Sequence, residues 1–283
     1  MKKKVLSVLL ALAMMLVLSA CNGGATTGGE SAERGGENAE SGDAQKAAES
    51  DLNYVQDKGT LIIGITEFEP MDYQDAAGNW IGFDADMAAA FAQSLGVEPV
   101  FQIIDWDNKV FELEGKSIDV VWNGMTLTDE VLNSMECSKP YFNNAQVVIV
   151  PVAQADTYQE LDSLEGLHFA VESGSAGEAQ AQANGFTYTQ VADQATALLE
   201  VSSGTADAAI IDFLMAKAMT GEGTNYADLT YTLSLNSEEY GVGFRKGSDL
   251  ADALNDFFAQ SYQDGSMVIF AQTYGIEQQL VAQ

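Results

Sequence analysis

The residues able to do chemistry are few in kind. The chain has one histidine, His168, two cysteines, Cys21 and Cys137, and 42 Asp+Glu against 12 Lys+Arg. A zinc site of the usual His/Cys spacing is not expected from that set, and two cysteines are too few for a disulfide framework. No metal, nucleotide or other cofactor is signalled, and Cys137 is expected as a buried small apolar residue. What remains are carboxylates and hydroxyls placed at the ends of apolar runs. Asp212 closes the run Ala208–Ile211. A charge at the end of so apolar a strand needs solvent or a partner, and a ligand cation would serve. Ser173-Gly174-Ser175-Ala176-Gly177 opens a helical segment in which Ser175 and Glu178 have capping-box spacing. That helix end is a cap, a place where free N–H groups receive a carboxylate, or both. Trp122 offers either a cation–π face or a core side chain.

These residues sit on alternating strands and helices. Thr60–Ile65 is a short β-branched run of the kind that forms a buried strand. A helix follows from Asp84, placed as its cap, through Leu95, with Met87, Phe91 and Leu95 on one face. Strands at 100–104 and 118–122 flank a short helix at 108–113. The pattern recurs with strands at 146–150, 168–171, 187–191 and 207–211, helices at 175–183 and 194–203, then a strand at 240–246 and helices at 250–262 and 266–274. Such alternation predicts an α/β fold of parallel sheets covered by helices, in two halves.

The first fifty residues differ in kind. Lys2-Lys3-Lys4 precede an apolar run from Val5 to Leu18, which reads as an export signal over residues 1–20. Residues 22–50 contain seven Gly and six Ala and no Val, Leu, Ile, Met or aromatic residue, the composition of a flexible tether. The formal charge is −30, and residues 1–50 hold five basic and six acidic residues, so −29 belongs to residues 51–283. A body this acidic is not expected to coat nucleic acid or lie flat on an anionic membrane.

Leu18-Ser19-Ala20-Cys21 resembles the lipobox of bacterial lipoproteins, which implies a diacylated Cys21 anchored to a membrane. The body resembles the family 3 solute-binding proteins of polar amino acid ABC transporters. The resemblance rests on Gly82-Phe83-Asp84-Ala85-Asp86, Asp105-Trp106-Asp107, Ile118-Asp119-Val120, Asn123 to Thr128, Ser138-Lys139-Pro140-Tyr141, Leu164-Glu165-Gly166, Val171 to Gly177, Ala206 to Asp212 and Glu239 to Gly247, in order over about residues 55–275. It implies a two-lobe, hinged fold of the type II periplasmic-binding-protein class: lobe 1 at 51–142 plus 242–283, lobe 2 at 143–241, and 21–50 as lipidated cysteine and tether. It also implies a small-molecule ligand, an amino acid or cationic amine, delivered to an ABC permease by an exported, lipid-anchored monomer.

By the same resemblance Phe68 stacks on the ligand side chain. The backbone groups of Asn123, Gly124 and Thr126, with the Thr126 hydroxyl, take its α-amino and carboxylate groups, Ser173, Ser175 and Ala176 receive the carboxylate, and Asp212 pairs with the α-ammonium. One departure stands out. The family places a carboxylate-clamping arginine shortly after Thr-x-Thr, where this chain has Val131, and the next basic residue along is Lys139. Arg245 belongs to the return-strand motif and is no substitute. With acids at Glu67, Glu69, Asp129 and Glu172 on the cleft loops, the loss tilts the site towards cationic or carboxylate-free ligands. Two other classes compete with a transport binder: a same-fold enzyme of the cyclohexadienyl dehydratase type, and a solute sensor without transport.

Overall fold

The computed structural model describes residues 50–283. The expected export signal, the lipidated Cys21 and the tether up to Glu49 lie outside the described residues.

The apolar runs form strands and the segments between them form helices. Helix α1 (Asp51–Lys58) leads into β1 (Thr60–Ile65), the hairpin strands β2 (Tyr73–Gln74) and β3 (Trp80–Ile81), α2 (Phe83–Ser94), β4 (Glu98–Ile103), α3 (Lys109–Glu114) and β5 (Val120–Thr126). Then come α4 (Asp129–Ser134) and the short strands β6 (Glu136–Cys137) and β7 (Phe142–Asn144). The chain continues through β8 (Gln146–Pro151), β9 (His168–Glu172), α5 (Ala176–Ala183), β10 (Thr187–Val191), α6 (Gln194–Ser203), β11 (Ala208–Asp212), α7 (Phe213–Met219) and β12 (Leu229–Ser234). It closes with β13 (Glu238–Phe244), α8 (Leu250–Asp264) and α9 (Ser266–Thr273).

Two sheets result. The first runs β4-β1-β5-β13-β6, with β7 also on β13, and the second runs β10-β9-β11-β8-β12. The chain passes between them twice, from β7 to β8 and from β12 to β13. The sheets are mixed rather than wholly parallel as expected: β13 lies antiparallel to β5, and β8 lies antiparallel to β11 and β12. The crossing strands return in the opposite sense to the βαβ units they join, which sets their direction.

Burial follows the apolar spacing. Met87 and Phe91 of α2 are fully buried, with Trp122 and Phe258 in the same core. Trp122 meets Phe258 edge to face at 5.6 Å between centroids, so it is a core side chain and offers no face to a ligand. Cys137 is half-buried rather than buried, and burial pushes its thiol up to about 11. Asp84 does not cap α2. The cap is Gly82, without a side-chain bond, and Asp84 is fully buried inside the first turn. Its carboxylate accepts from the Gly124 N–H at 2.6 Å and the Tyr141 hydroxyl at 2.8 Å, fastening α2 to β5 and to the residue before β7.

Candidate functional site

The strand ends of both sheets face one cleft of about 460 Å³. Strand carboxyl ends are where open α/β sheets hold ligands, since the loops there leave a crevice between neighbouring connections. Phe68, Asn123, Gly124, Thr126, Ser175, Ala176 and Asp212 all border this cleft. Ser173 does not. Its backbone N–H donates to the Val191 carbonyl at 3.0 Å, prolonging the β9–β10 ladder behind the opening. Of the four loop acids singled out, Asp129 and Glu172 border the cleft and Glu67 and Glu69 do not.

Asp212 ends β11 only 4 % exposed. Its Oδ1 accepts from Asn144 Nδ2 at 2.5 Å, Gln146 Nε2 at 3.1 Å and the Tyr240 hydroxyl at 2.6 Å, and its Oδ2 accepts from Gln194 Nε2. Glu238 shares two of these donors, taking Asn144 Nδ2 at 2.7 Å and Gln146 Nε2 at 2.8 Å. Two carboxylates are thus bridged by neutral amides where the chain crosses between sheets. Burial and the Glu238 charge push Asp212 up to about 8, against the pull of Tyr240 and Gln194. Every donor in this cluster is neutral, so a ligand ammonium would be the first cation it meets.

The lobe-1 edge is more committed than expected. The Asn123 side chain accepts from Thr66 N–H at 2.9 Å and donates to the Thr66 carbonyl and to Asp72, holding the 66–72 loop rather than a ligand. The Gly124 N–H is taken by Asp84. Gly124 has φ +54, and a Cβ there would stand 2.5 Å from the Phe68 ring, which packs edge to face on Tyr240. The Thr126 hydroxyl donates to Glu238 at 2.9 Å, so towards the cleft it presents a lone pair, not a hydrogen.

On the opposite wall Ser175 caps α5, its hydroxyl accepting from the Glu178 N–H at 3.1 Å. Glu178 reaches back one residue further than a capping box and accepts from the Gly174 N–H at 2.7 Å. Tyr188, Gln182 and Gln190 also donate to it. The Ala176 and Gly177 amides at the helix start have no acceptor among the described residues. They are the free donors that a helix N-terminus offers to an anion.

Lys109 has no role assigned from the sequence, and Trp106 only a place in the Asp105-Trp106-Asp107 motif. Trp106 and Lys109 follow β4 and border the opening. Lys109 lies with Nζ 5.0 Å from the Trp106 ring centroid and is only 9 % exposed. Their position just past a strand's carboxyl end was the available signal. Arg245, in contrast, is held away from the cleft by Asp51 at 2.9 Å and Asp119 at 3.5 Å. Lys139 does not border the cleft either.

The loops of the two sheets touch. Lys109 Nζ donates to the Gly174 carbonyl at 3.0 Å, and a Cβ on Gly174 would stand 2.7 Å from Asp107 Cα. Among the described residues that border the cleft, Lys109 is the sole lysine or arginine, facing Asp107, Asp129, Glu130, Glu172, Glu178 and Asp212. Glu172 is 2 % exposed and its Oε1 has no partner. Burial, with the charges of Asp212 and Asp193, pushes it up to about 8.

Burial likewise raises Asp84 to about 7 and Asp72 well above the usual carboxyl range. These four groups hold protons in the folded state that the unfolded chain releases near pH 4. The native state therefore binds more protons between about pH 4 and pH 8, and stability falls as pH rises through that window. The ligand-free protein is expected to melt several degrees lower at pH 8.5 than at pH 5.5 in scanning calorimetry; a melting temperature that rises over this range would contradict these burial assignments.

Comparison with known proteins gives consistent relatives. The family model for bacterial extracellular solute-binding proteins, family 3, matches residues 61–277. The L-cystine-binding protein TcyJ of Escherichia coli (strain K12) is 30% identical over 225 residues, 78% of this chain and 84% of that protein. The arginine-binding extracellular protein ArtP of Bacillus subtilis (strain 168) is 28% identical over 218 residues, 74% of this chain and 84% of that one. Among solved structures, a mutant of ArgBP from T. maritima superposes with a TM-score of 0.74 at 29% identity, covering 79% of this chain and 98% of that one.

Proposed function

The chain belongs to the bacterial extracellular solute-binding proteins, family 3, and from that premise we propose that it captures a small α-amino acid, or a related amine, for import by an ABC permease. Membership fixes the coarser points. The protein binds a solute outside the cytoplasm on a hinged type II fold, and it is a binder and not an enzyme.

The ligand class rests chiefly on Asp212. A nearly buried carboxylate surrounded by neutral donors, with a second acid alongside, is a receptor for an ammonium group. Asn123 and Gly124 shape the lobe-1 wall, Phe68 covers the ligand side chain beside Trp106, and the α5 start with Ser175 and Ala176 faces the carboxylate. Relatives named for L-cystine and arginine support an amino acid. The two lobes, expected at 51–142 plus 242–283 and at 143–241, close on the ligand about the two crossings, with β7 and β13 carrying 143–144 and 238–241 into the first sheet. Lipidation at Cys21 tethers the pair to the membrane through residues 22–50.

Calorimetric titration with the common L-amino acids and their decarboxylated amines tests this reading. At least one α-amino acid is expected to bind one to one, with a Kd of about 1 μM or tighter. A panel in which nothing carrying an amine binds would sink it. Labelling of the full chain with radioactive fatty acid, abolished in Cys21→Ala, checks the anchor.

A further inference from the structure

The described cleft has an acid for an ammonium but lacks an arginine for a carboxylate. We propose that Lys109 is the ligand's carboxylate anchor, acting together with the free amides at the start of α5. The proposal deepens the amino-acid reading above and rests on it.

Lys109 opens α3 and points its side chain across the cleft. Its ammonium carries three N–H donors. Two are used, to the Trp106 carbonyl at 3.1 Å and the Gly174 carbonyl at 3.0 Å. No carboxylate of a described residue stands within ion-pair distance of Nζ. The group is 9 % exposed, and although the Trp106 ring lies beside it and carboxylates line the same cleft, no anion touches it directly. Burial draws its pKa below that of an ordinary lysine, while Glu172, Glu130, Asp107 and Glu178 oppose this. An anion arriving in the cleft would complete its coordination.

Position strengthens the case. Gly174, whose carbonyl Nζ grips, immediately precedes the cap Ser175 of α5. The ammonium is thereby held beside the start of α5, where Ser175 and Ala176 border the same cleft. No other cation replaces the missing arginine: Val131 is apolar and 6 % exposed, the Thr126 hydroxyl hydrogen is directed at Glu238, and the Ser175 and Thr128 hydroxyls are neutral donors. On this assignment Lys109 supplies from another loop the positive charge that the missing arginine would have brought, which offsets the tilt towards carboxylate-free ligands. A lysine is a point charge without the planar fork of arginine, so the helix amides supply the second contact that a bidentate clamp would give.

Lys109 also joins the lobes through Gly174, so simple loss of affinity on mutation would not separate anchoring from latching. Matched ligand pairs do separate them. Wild type, Lys109→Met and Lys109→Arg are titrated at pH 8 with L-arginine and agmatine, L-histidine and histamine, and L-cystine and cystamine. The melting temperature of each variant is recorded as a check on folding. Wild type is expected to prefer the acid member of its best pair by on the order of 100-fold. Lys109→Met is expected to shrink that ratio at least about tenfold, and Lys109→Arg to retain most of it. Equal weakening of both members by Lys109→Met would overturn the anchor and leave only a latch. Wild type binding amines but none of the amino acids would overturn the amino-acid reading itself.

Discussion

Asp212→Asn is expected to weaken binding of the amino-acid ligand by about 30-fold to several thousand-fold, the cost of truncating one partner of a buried, hydrogen-bonded charge pair. The side chain is 4 % exposed and held by Asn144, Gln146, Gln194 and Tyr240, so the substitution leaves the site's shape in place and removes its charge. In the ligand-free protein at pH 8.5 two effects oppose: the charge of a carboxyl titrating at about 8 is no longer buried, but the Asn amide turns an N–H towards a donor, which costs about 1–3 kcal/mol. Affinity from calorimetry and melting temperature together make the check. A variant that binds as tightly as wild type would remove Asp212 from the ligand's ammonium.

The pKa of Asp212 also sets how binding responds to acid. In the empty cleft Asp212 and Glu172 titrate at about 8 with no cation to satisfy them. A ligand ammonium stabilises the ionised form, so binding below pH 8 must expel a proton and weakens as pH falls. Above that value the carboxylate is already charged and affinity levels off.

Gly174→Ala carries the second large effect, on closure rather than on chemistry. Gly174 has φ +70, where a residue with a Cβ costs roughly 1–2 kcal/mol. The added Cβ would stand 2.7 Å from Asp107 Cα and 2.7 Å from its Oδ1, on the loop of the other sheet. The Asp107 carboxylate can swing aside, but its Cα is backbone and cannot, so the two loops must move apart to accommodate the methyl. Separation also breaks the Lys109 bond to the Gly174 carbonyl. Affinity should fall about tenfold to 100-fold, in keeping with an overpacked contact, while the lobes stay folded. Small-angle scattering of the ligand-saturated variant should show a radius of gyration above that of saturated wild type. Full compaction with unchanged affinity would show that these loops do not meet in the bound protein.

Much of this was legible from local pattern. The β-branched runs that became β1, β8 and β11 declare themselves because a buried strand is apolar along its whole length. The strand ends then locate the cleft without further information, and Asp212 stands out as a charge where the apolar run stops. Asp84 shows where local reading fails. An aspartate at a helix start suits a cap, but this one is drawn inward by Gly124 and Tyr141, forty and fifty-seven residues away, and such partners leave no mark in nearby sequence.

Lys109 was hidden for a related reason. A lysine on a short helix normally belongs to a solvated face, and only the approach of Gly174 from the other sheet buries it. Asn123 and Gly124 border the cleft, yet their hydrogen bonds run into the protein, to Thr66, Asp72 and Asp84. Position follows from strand order, whereas the direction in which a polar group is spent depends on contacts across the fold.

The acidity of the body takes on a more specific meaning in this light. Carboxylates crowd the cleft, but several are held as buried acids, and one lysine stands among them. A zwitterion matches that arrangement better than a plain cation, since it offers an ammonium to Asp212 and a carboxylate to Lys109. Mass spectrometric identification of the small molecule released on denaturing protein purified under native conditions tests this most directly. A compound bearing both a primary amine and a carboxylate is the predicted result; a sugar, an inorganic anion or an amine without a carboxylate would contradict it.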